Sequence, residues 1–584
     1  ALSLVGSEMC IRDSLKAVLA DLSGQILPSR FEKAQQPDPH SLQLGFRTLK
    51  GMIWLELSWQ AEAARLVQIR PPKRTGSGST LAQQVQHGLR QLALVGLQQQ
   101  GFERVVQFQF APRPGEAAVR TLVLELMGRH SNCLMLDEQK RITAIARQVR
   151  QHQSRIRPLS SGDAYCPPPA LQSLPPQLNE PIEQWQRRLS LLPIALGKAL
   201  RETYQGISPA LVKQLIALPP TAADPSPALL PSTPVDSITP DQWLRLHHRW
   251  LQWLKHLDQT IFELHFEEEG GYCVWNKPDD ERVDQRDDQQ DAGVGDCLSL
   301  RLGLYYRHHL NARRLQRRTD ELRQLLQVSR EREEAQRQEQ QDRMEDTDNA
   351  GTLQHQADTL LCQQNPDRDS IDRAQKLYQR ARRLRRAIPV IQERLRHHNQ
   401  RLALLDGSES FLEDLIQAEW DDPAERSRQL EDLKLELEEL LAPKQQRRHA
   451  GPPPGQPQPL ALATTGGLLI QVGRNHRQNE WISLRQARSG DLWFHAQECP
   501  GSHVVLKASA AAASDQDVQE AADLAAWFSR AKGNRRVPVV MASVDHLQRI
   551  PGSAPGTVRH RQAELVWAEP DRARRTLEAR EPLA

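Results

Sequence analysis

Alternating apolar and polar positions dominate the first part of the chain. A period of two is typical of strands with one buried face. It predicts strands over residues 42–46, 53–57, 105–110 and 121–126. Between them, apolar residues recur at helical spacing behind Ser79, which predicts a helix capped by a hydroxyl group. The recurring residues are Leu81, Val85, Leu89 and Leu92. The Pro- and Gly-containing run 111–115 predicts a turn between two antiparallel strands.

The pattern changes after the Cys-Pro-Pro-Pro run at 166–169, which ends the first domain with a stiff, extended segment. Residues 196–200 and 204–209 predict short helices joined by tight Gly turns, in the style of a helix-hairpin-helix whose backbone amides can face a phosphate. A helical hairpin without a ligand is an equal alternative. The Pro-rich residues 219–240 predict a linker, and the acidic residues 279–296 predict a loop.

A heptad repeat predicts a long coiled coil in the next part of the chain. The two seam series are Ala374, Ala381, Ile388, Leu395 and Leu402, and Leu377, Leu384, Ile391 and Leu405. His398 is the one interruption of the second series, and Pro389 predicts a kink. The preceding arm, 313–344, is apolar at one end only, so the two arms predict an antiparallel hairpin with its tip around 346–367.

These patterns predict a multidomain α+β protein rather than one core, as expected for 584 residues. Residues 1–14 resemble a translated sequencing adapter, so we expect them to be an artefact that replaces the authentic start. The predicted segments after it are an α/β domain (15–169), a middle domain with helix-hairpin-helix features and linkers (170–300), a coiled-coil hairpin (301–445), a Pro-rich linker (446–459) and a compact α/β domain (460–584).

Composition excludes a membrane-spanning protein, because only 39% of the residues are hydrophobic and no apolar run approaches the roughly 18 residues that a spanning helix needs. The seven cysteines are scattered, which favours a reducing cytoplasm over a disulfide framework or a zinc site. The first residues lack the cationic and apolar segments of a signal peptide. We therefore expect a cytoplasmic protein.

Local charge is the strongest indication of a partner. The net charge of the chain is only +3, yet residues 373–401 contain ten Lys or Arg and one acid, Glu393, a net charge of +9. Ordinary coiled-coil faces interleave both signs, so this stretch favours contact with RNA phosphates over a merely solvated face. The arginines predicted to contact ribosomal RNA are Arg382, Arg383, Arg385 and Arg386.

A second candidate RNA site combines aromatic rings with imidazoles in the last domain. Its predicted residues are Trp493, His495, Ser502 and His503, with several arginines upstream. Aromatic and cationic side chains together suit structured or single-stranded RNA. The alternative is that these side chains belong to the core.

Catalysis is disfavoured, because the chain has no Gly-rich phosphate loop, no His-Glu-x-x-His, no Gly-x-Ser-x-Gly and no local Cys-His pairing. A composite site assembled from distant carboxylates stays open. We expect no catalytic residue, no metal and no cofactor.

Four motifs resemble those of the NFACT family of ribosome quality-control factors, which are also known as fibronectin-binding proteins. They are Leu-Met-Gly-Arg-His-Ser-Asn at 126–132, Gly-Asp-Ala-Tyr-Cys-Pro-Pro-Pro at 162–169, Asp-Leu-Trp-Phe-His-Ala at 491–496 and Pro-Gly-Ser-His-Val-Val at 500–505. The resemblance extends over residues 15–571 in the order of the family.

The resemblance implies a protein that binds large ribosomal subunits obstructed by peptidyl-tRNA and recruits charged tRNA, alanyl-tRNA in bacteria. The ribosome then extends the stalled chain with a C-terminal tail that marks it for degradation. It also implies a glycosylase-like N-domain that reads the tRNA, an RNA-associated C-terminal domain, and a monomer on the ribosome. In the family an Asp-Arg pair opens a strand of the N-domain, whereas this chain has Glu103 and Arg104. The predicted tRNA-binding residues are Glu103, Arg104, Arg129 and His130.

Two other classes of function remain as alternatives. One is a surface adhesin that binds fibronectin, against which stand the lack of a signal peptide, the scattered cysteines and the basic helix. The other, by analogy of fold alone, is a DNA glycosylase, which would need an N-terminal proline amine as its nucleophile.

Overall fold

The computed structural model describes residues 11–72, 79–154, 157–217, 228–267, 271–275, 297–362, 367–418, 423–441, 457–550, 553 and 555–578. The chain divides into two compact units, Ala1–Leu310 and Asn311–Ala584. The predicted loop 279–296, most of the predicted linker 446–459 and residues 1–10 of the segment 1–14 lie outside the described residues.

The first unit contains a nine-stranded antiparallel sheet with the strand order β4-β3-β2-β1-β5-β6-β7-β8-β9. Its elements, in chain order, are α1 (Ile11–Ile26), β1 (Ser29–Asp38), β2 (Ser41–Thr48), β3 (Gly51–Ser58), β4 (Arg65–Ile69), α2 (Thr80–Gly88), β5 (Ala93–Gln99), β6 (Val105–Ala111), β7 (Arg120–Glu125), β8 (Asn132–Leu136) and β9 (Ile142–Ile145). Leu15, Val18, Leu22 and Ile26 of α1 are buried at helical spacing against this sheet.

The four strands predicted from alternation are confirmed as β2, β3, β6 and β7, and the turn between β6 and β7 joins antiparallel strands as predicted. The predicted helix is also confirmed, and the Ser79 hydroxyl accepts a hydrogen bond from the Ala82 amide at its start. It ends at Gly88 rather than reaching Leu92, since Leu89 caps the helix and its amide donates to the Val85 carbonyl. Gln91, two residues further on, adopts a left-handed conformation with φ of 66° that turns the chain toward β5.

Four further helices and a two-stranded ribbon follow among the described residues of the first unit: α3 (Ile182–Leu189), α4 (Leu196–Thr203), α5 (Pro209–Ile216), α6 (Pro240–Gln259), β10 (His265–Phe266) and β11 (Tyr272–Cys273). The predicted pair of short helices is thus present as α4 and α5. The turn between them packs against the loop between β5 and β6, because a Cβ at Gly206 would lie 2.7 Å from the Phe102 ring. This contact favours the hairpin without a ligand.

Three helices form the helical region: α7 (Leu298–Leu361), α8 (Arg368–Gln417) and α9 (Pro423–Leu441). Pro389 lies inside α8, which continues to Gln417. The two-arm prediction missed α9 as a separate helix. Leu430, Leu433 and Leu437 of α9 are buried with residues of α7 and α8, so the base of the region is a three-helix core.

The seam of the two long arms continues through small and polar residues toward the tip. Ala350 and Ala357 of α7 are buried, as are Ala374 and Ala381 of α8. The interruption at His398 also has a partner, since its Nδ1 lies 2.7 Å from Oε2 of the buried Glu333. A polar, hydrogen-bonded layer therefore replaces an apolar one at this position.

The last domain is a six-stranded antiparallel sheet with the strand order β12-β13-β15-β14-β16-β19, accompanied by a small hairpin, β17-β18. Its elements are β12 (Leu460–Ala463), β13 (Leu469–Val472), α10 (His476–Glu480), β14 (Leu492–Ala496), β15 (Val504–Leu506), α11 (Asp515–Trp527), β16 (Val537–Ser543), β17 (Leu547–Arg549), β18 (Val558–His560), β19 (Glu564–Ala568) and α12 (Pro570–Glu578). Helix α11 covers one face of the sheet.

Candidate nucleic-acid interface

The four arginines predicted to contact ribosomal RNA form a ridge on α8, which we call the arginine ridge. All four side chains are exposed: Arg382, Arg383, Arg385 and Arg386. The buried Ala381 faces the seam with α7, so the arginines that follow it point away from that seam. The guanidinium of Arg385 donates to the side-chain oxygen of Gln354 on α7. Within the described residues, no carboxylate forms an ion pair with any of the four. The ridge therefore presents its positive charge to solvent, where phosphates could bind.

Glu103 and Arg104 lie immediately before β6, at the N-terminal end of an interior strand of the sheet. Both side chains are half-buried. The Arg104 carbonyl accepts a hydrogen bond from the Leu126 amide at 2.8 Å, which ties the start of β6 to the end of β7. The Glu103 carboxylate accepts from the Leu171 amide at 3.2 Å. Glu103 thus holds the segment that leaves the N-terminal domain against the strand that carries Arg104.

Arg129 and His130 belong to a 3₁₀ turn, Gly128–His130, just beyond β7. Both side chains are exposed, and Arg129 Nε donates to His130 Nε2 at 3.1 Å. Gly128 has φ of +56°, a conformation that suits glycine in this turn. Since β6 begins beside the point where β7 ends, the structure brings both predicted tRNA-binding pairs to the same end of two neighbouring strands.

A buried carboxylate at this end of the sheet was missed by the sequence analysis. Glu125, the last residue of β7, is completely buried and accepts hydrogen bonds from Arg157 and from the Tyr165 hydroxyl. Burial is the largest cause that raises the pKa of Tyr165, and the charge and hydrogen bond of Glu125 raise it further. The hydroxyl therefore stays protonated and donates to Glu125. Burial alone would lower the pKa of Arg157, but the hydrogen bond and charge of Glu125 raise it. This network explains why the motif at 162–169 contains a tyrosine.

The predicted C-terminal site is mostly buried. Only 3% of Trp493, 1% of Ser502 and 5% of His503 is exposed, and His495 is half-buried. The Trp493 ring stacks on His495 at 5.8 Å between centroids and meets His503 edge-on at 5.1 Å. The His503 Nδ1 lies 2.9 Å from the Ser483 hydroxyl oxygen. The structure therefore corrects the prediction of a stacking surface made by Trp493, Ser502 and His503, because these side chains pack inside the domain.

Burial also keeps the imidazoles neutral. It lowers the pKa of His495 to about 4, and it lowers the pKa of His503 well below the ordinary value, with further contributions from His495 and His476. A neutral imidazole gives no phosphate contact of the ion-pair type. These two histidines thus contribute to packing rather than to the positive charge of the surface.

We expect Trp493→Ala to lower the melting temperature. Removing a buried indole costs about 3–5 kcal/mol, because the lost contacts leave a cavity. A matched control is Trp567→Ala on the same sheet, where 60% of the side chain is exposed, so its melting temperature should stay close to that of the native chain. Equal melting temperatures for the Trp493 variant and the native chain would contradict a core role for this ring.

The C-terminal domain is joined to the helical base through His476. Its Nε2 lies 3.2 Å from the Leu404 carbonyl oxygen and 3.2 Å from the Ser408 hydroxyl oxygen, both on α8. A Cβ at Gly407 would lie 2.9 Å from the imidazole, so the helix approaches this ring closely. The buried Glu436 of α9 accepts from the His476 amide at 3.2 Å. Burial lowers the pKa of His476 to about 4 and raises the pKa of Glu436 to about 7.

We expect His476→Gln to flatten the loss of stability on acidification. Because the pKa of His476 is lower in the folded state than in the unfolded state, its contribution is complete above about pH 6.5 and is lost as the pH falls toward 4. Near pH 5 the loss is about 2 kcal/mol. Glutamine can still donate to Leu404 but does not titrate. Melts of both proteins at pH 7 and pH 5 measure the difference, and parallel pH profiles would contradict it.

Among the described residues, no helix is both long and apolar enough to cross a membrane. In that same part of the chain, no group of three or more His, Cys, Asp or Glu is placed to hold a metal ion.

Comparisons with known proteins agree with this arrangement of domains. The family model for the NFACT N-terminal and middle domains matches residues 14–365 and 362–451, and the model for the NFACT protein RNA binding domain matches residues 460–560. The Rqc2 homolog RqcH of Bacillus subtilis is 24% identical over 508 residues, covering 81% of this chain and 82% of the relative. The Rqc2 homolog RqcH of Streptococcus suis is 24% identical over 591 residues, covering 95% and 97%.

Among solved structures, the chain is similar to the C-terminal part of the fibronectin/fibrinogen-binding protein from Streptococcus suis. The identity is 25%, the TM-score is 0.37, and the match covers 45% of this chain and 98% of that one. The family models together span most of the chain, in the order in which the structure places the sheet, the helices and the last domain. The chain therefore belongs to the NFACT family.

Proposed function

We propose that this protein acts in ribosome-associated quality control. It binds large ribosomal subunits obstructed by peptidyl-tRNA, recruits a charged tRNA, alanyl-tRNA in the simplest case, and promotes tailing of the stalled chain without a template. In this role it works in the cytoplasm as a monomer on the ribosome. It makes no peptide bond itself, so it needs no catalytic residue and no cofactor. Family membership and the names of its relatives, Rqc2 homolog RqcH, support the proposal.

The arginine ridge is the observation that carries the proposal. It lies on α8, a helix of 50 residues, which spans about 75 Å at 1.5 Å per residue. An arm of this length can reach across a ribosomal surface. Its unneutralised guanidinium groups suit the phosphates of folded RNA, and releasing the counterions of that RNA repays the self-repulsion of the ridge.

The N-terminal sheet supplies a different kind of surface. Arg104 and Arg129 lie at one end of neighbouring strands of a rigid sheet, where a few oriented guanidinium groups can recognise one RNA partner. The ridge gives affinity that does not depend on sequence, and the ends of β6 and β7 give selectivity for tRNA.

Purification of the native complex tests the proposal. The full chain is isolated from cells of its source or a close relative, and its sedimentation is followed with free large subunits, small subunits and intact ribosomes. We expect it to migrate with large subunits that carry peptidyl-tRNA and to be released as the salt concentration rises. Migration away from large subunits at every salt concentration would contradict the proposal.

A further inference from the structure

The edge strand β19 carries two large apolar side chains on its surface. Leu565 is 52% exposed and Trp567 is 60% exposed. In the antiparallel register, Leu565 pairs with Val540 and Trp567 pairs with Pro538 of β16. Directly opposed residues in a sheet lie on the same face. These four residues therefore form one continuous surface, which we call the open face.

The register extends the open face to β14. Val540 also pairs with His495, so the half-buried imidazole borders the same surface. At the other end of β14, Trp493 is covered by residues 481–485 and by the β17-β18 hairpin. The cover thus closes the part of the sheet around Trp493, whereas Leu565 and Trp567 remain accessible.

The opposite face of the same strands carries the hydrophobic core of the domain, so folding does not depend on Leu565 and Trp567. Phe494, Val539 and Ala568 point to the opposite face and are fully buried against α11. The sheet thus has one complete core. An indole that is 60% exposed adds little to that core, and two large apolar side chains side by side on an edge strand indicate a binding surface.

Cationic residues border the open face. Arg559, His560 and Arg561, at the end of the β17-β18 hairpin and just after it, are exposed. The His560 ring lies 6.0 Å from the Trp493 ring, which places this hairpin beside the covered end of the sheet. Arg535 and Arg536 are exposed just before β16, the strand that holds the partner of Trp567. Arg536 is ion-paired with Glu569 at 3.3 Å, so Arg559 and Arg561 are the cations that the inference uses. Exposed rings with cations nearby are the combination with which proteins bind single-stranded RNA.

We propose that the open face is a stacking platform for single-stranded RNA. A base stacks on Trp567. Leu565 and Val540 extend the apolar surface beside it, and Arg559 and Arg561 contact the phosphates of the RNA. The inference deepens the proposed function by assigning the RNA-contacting surface of the last domain. It also goes beyond the family match, because the residues matched to the RNA binding domain end at 560 and β19 lies after them.

The test measures binding of the full chain to a fluorescent, unstructured RNA of about ten nucleotides by anisotropy. Because the arginine ridge also attracts RNA, each variant is made in the native chain and in a chain in which the four ridge arginines are Glu. Trp567→Ala should weaken binding by about 5- to 100-fold in the second background, since one stacked base contributes that much. Trp567→Phe should keep most of the affinity because it keeps an aromatic face.

Two controls separate stacking from other effects. Leu469→Ala removes another exposed apolar side chain, four strands away in the same sheet, and should leave RNA binding unchanged. Trp567→Ala should leave the slope of log Kd against log salt unchanged, whereas Arg559→Ala should lower it by about 0.7. Thermal melts confirm that every variant is folded.

Equal RNA affinity of Trp567→Ala and its parent in the ridge-reversed background would overturn the inference. A dimer of the native chain that Trp567→Ala dissolves would also overturn it, because a second copy would then occupy the open face. Binding to large subunits is measured separately. If Trp567→Ala loses short-RNA binding but the native chain does not bind large subunits, the proposed function is wrong and the platform stands. If the native chain binds large subunits but Trp567→Ala binds short RNA as its parent does, the platform is wrong and the proposed function stands.

Discussion

Reversing Arg382, Arg383, Arg385 and Arg386 to Glu is expected to abolish co-sedimentation with large ribosomal subunits. Each lost phosphate contact removes roughly one unit from the slope of log affinity against log salt, and the new carboxylates repel the RNA. The variant should fold, because all four side chains are exposed and only Arg385 has a side-chain hydrogen bond within the described residues, to Gln354. Sedimentation across a salt series measures both the loss and the slope.

A matched control reverses four exposed arginines on the first arm. Arg313, Arg314, Arg323 and Arg332 are exposed on α7. Asp320, Glu321 and Glu331 lie between Arg314 and Arg332, and Arg323 pairs with Asp320 at 3.6 Å. Reversal of the four arginines changes the net charge of the chain by the same amount, so a specific role of the ridge predicts little effect. If the ridge variant is folded and still sediments with large subunits as the native chain does, or if both variants lose binding equally, the ridge is not the docking surface.

Local periodicity in the sequence was enough to predict four strands of the first sheet. In β6 buried and half-buried residues alternate, so the period of two marks its buried face. Most of β2 and β7 is buried on both faces, and these strands were predictable because apolar residue types still recur at every second position along them. The seam of the arms was harder to extend, because buried alanines and the pair of Glu333 with His398 replace large apolar residues there. Helix α9 was missed as a separate helix because it continues the same Leu-rich, charged composition as α8.

The candidate sites show what composition cannot decide. The motif around Trp493 contains the expected rings, but its strand lies inside the sheet, so the π-helical turn Trp481–Arg485 and a hairpin cover it. Trp567 stands in no recognised motif, yet its edge strand leaves it exposed. Exposure depends on strand order and on what crosses over the sheet, and neither is encoded within a short window of sequence. The exposure of the ridge arginines was predictable, because small residues fill the seam of the helix and the charged side chains must point away from it, toward solvent.

Removing Arg104 is expected to leave subunit binding nearly intact and to eliminate tRNA recruitment and tailing. Affinity for the subunit comes from many sequence-blind contacts of the ridge, whereas one guanidinium at a rigid strand end discriminates, at about 1–3 kcal/mol per good bidentate contact. The measurements are the tRNA content of purified complexes and C-terminal mass spectrometry of a stalled reporter. Normal tRNA and normal tails in Arg104→Ala would show that the residue is structural.

Variants of Glu103 separate its charge from its anchoring role. Glu103→Asp restores the residue found in the family and should keep tailing or improve it, provided that the shorter arm still reaches the Leu171 amide, now 3.2 Å away. Glu103→Gln keeps the length and the accepting oxygen but removes the charge. If the carboxylate orients Arg104, Gln loses tRNA while Asp retains it. If Glu103 serves only to hold Leu171, Gln behaves as the native residue and Asp is the weaker variant, which would contradict a recognition role for the pair.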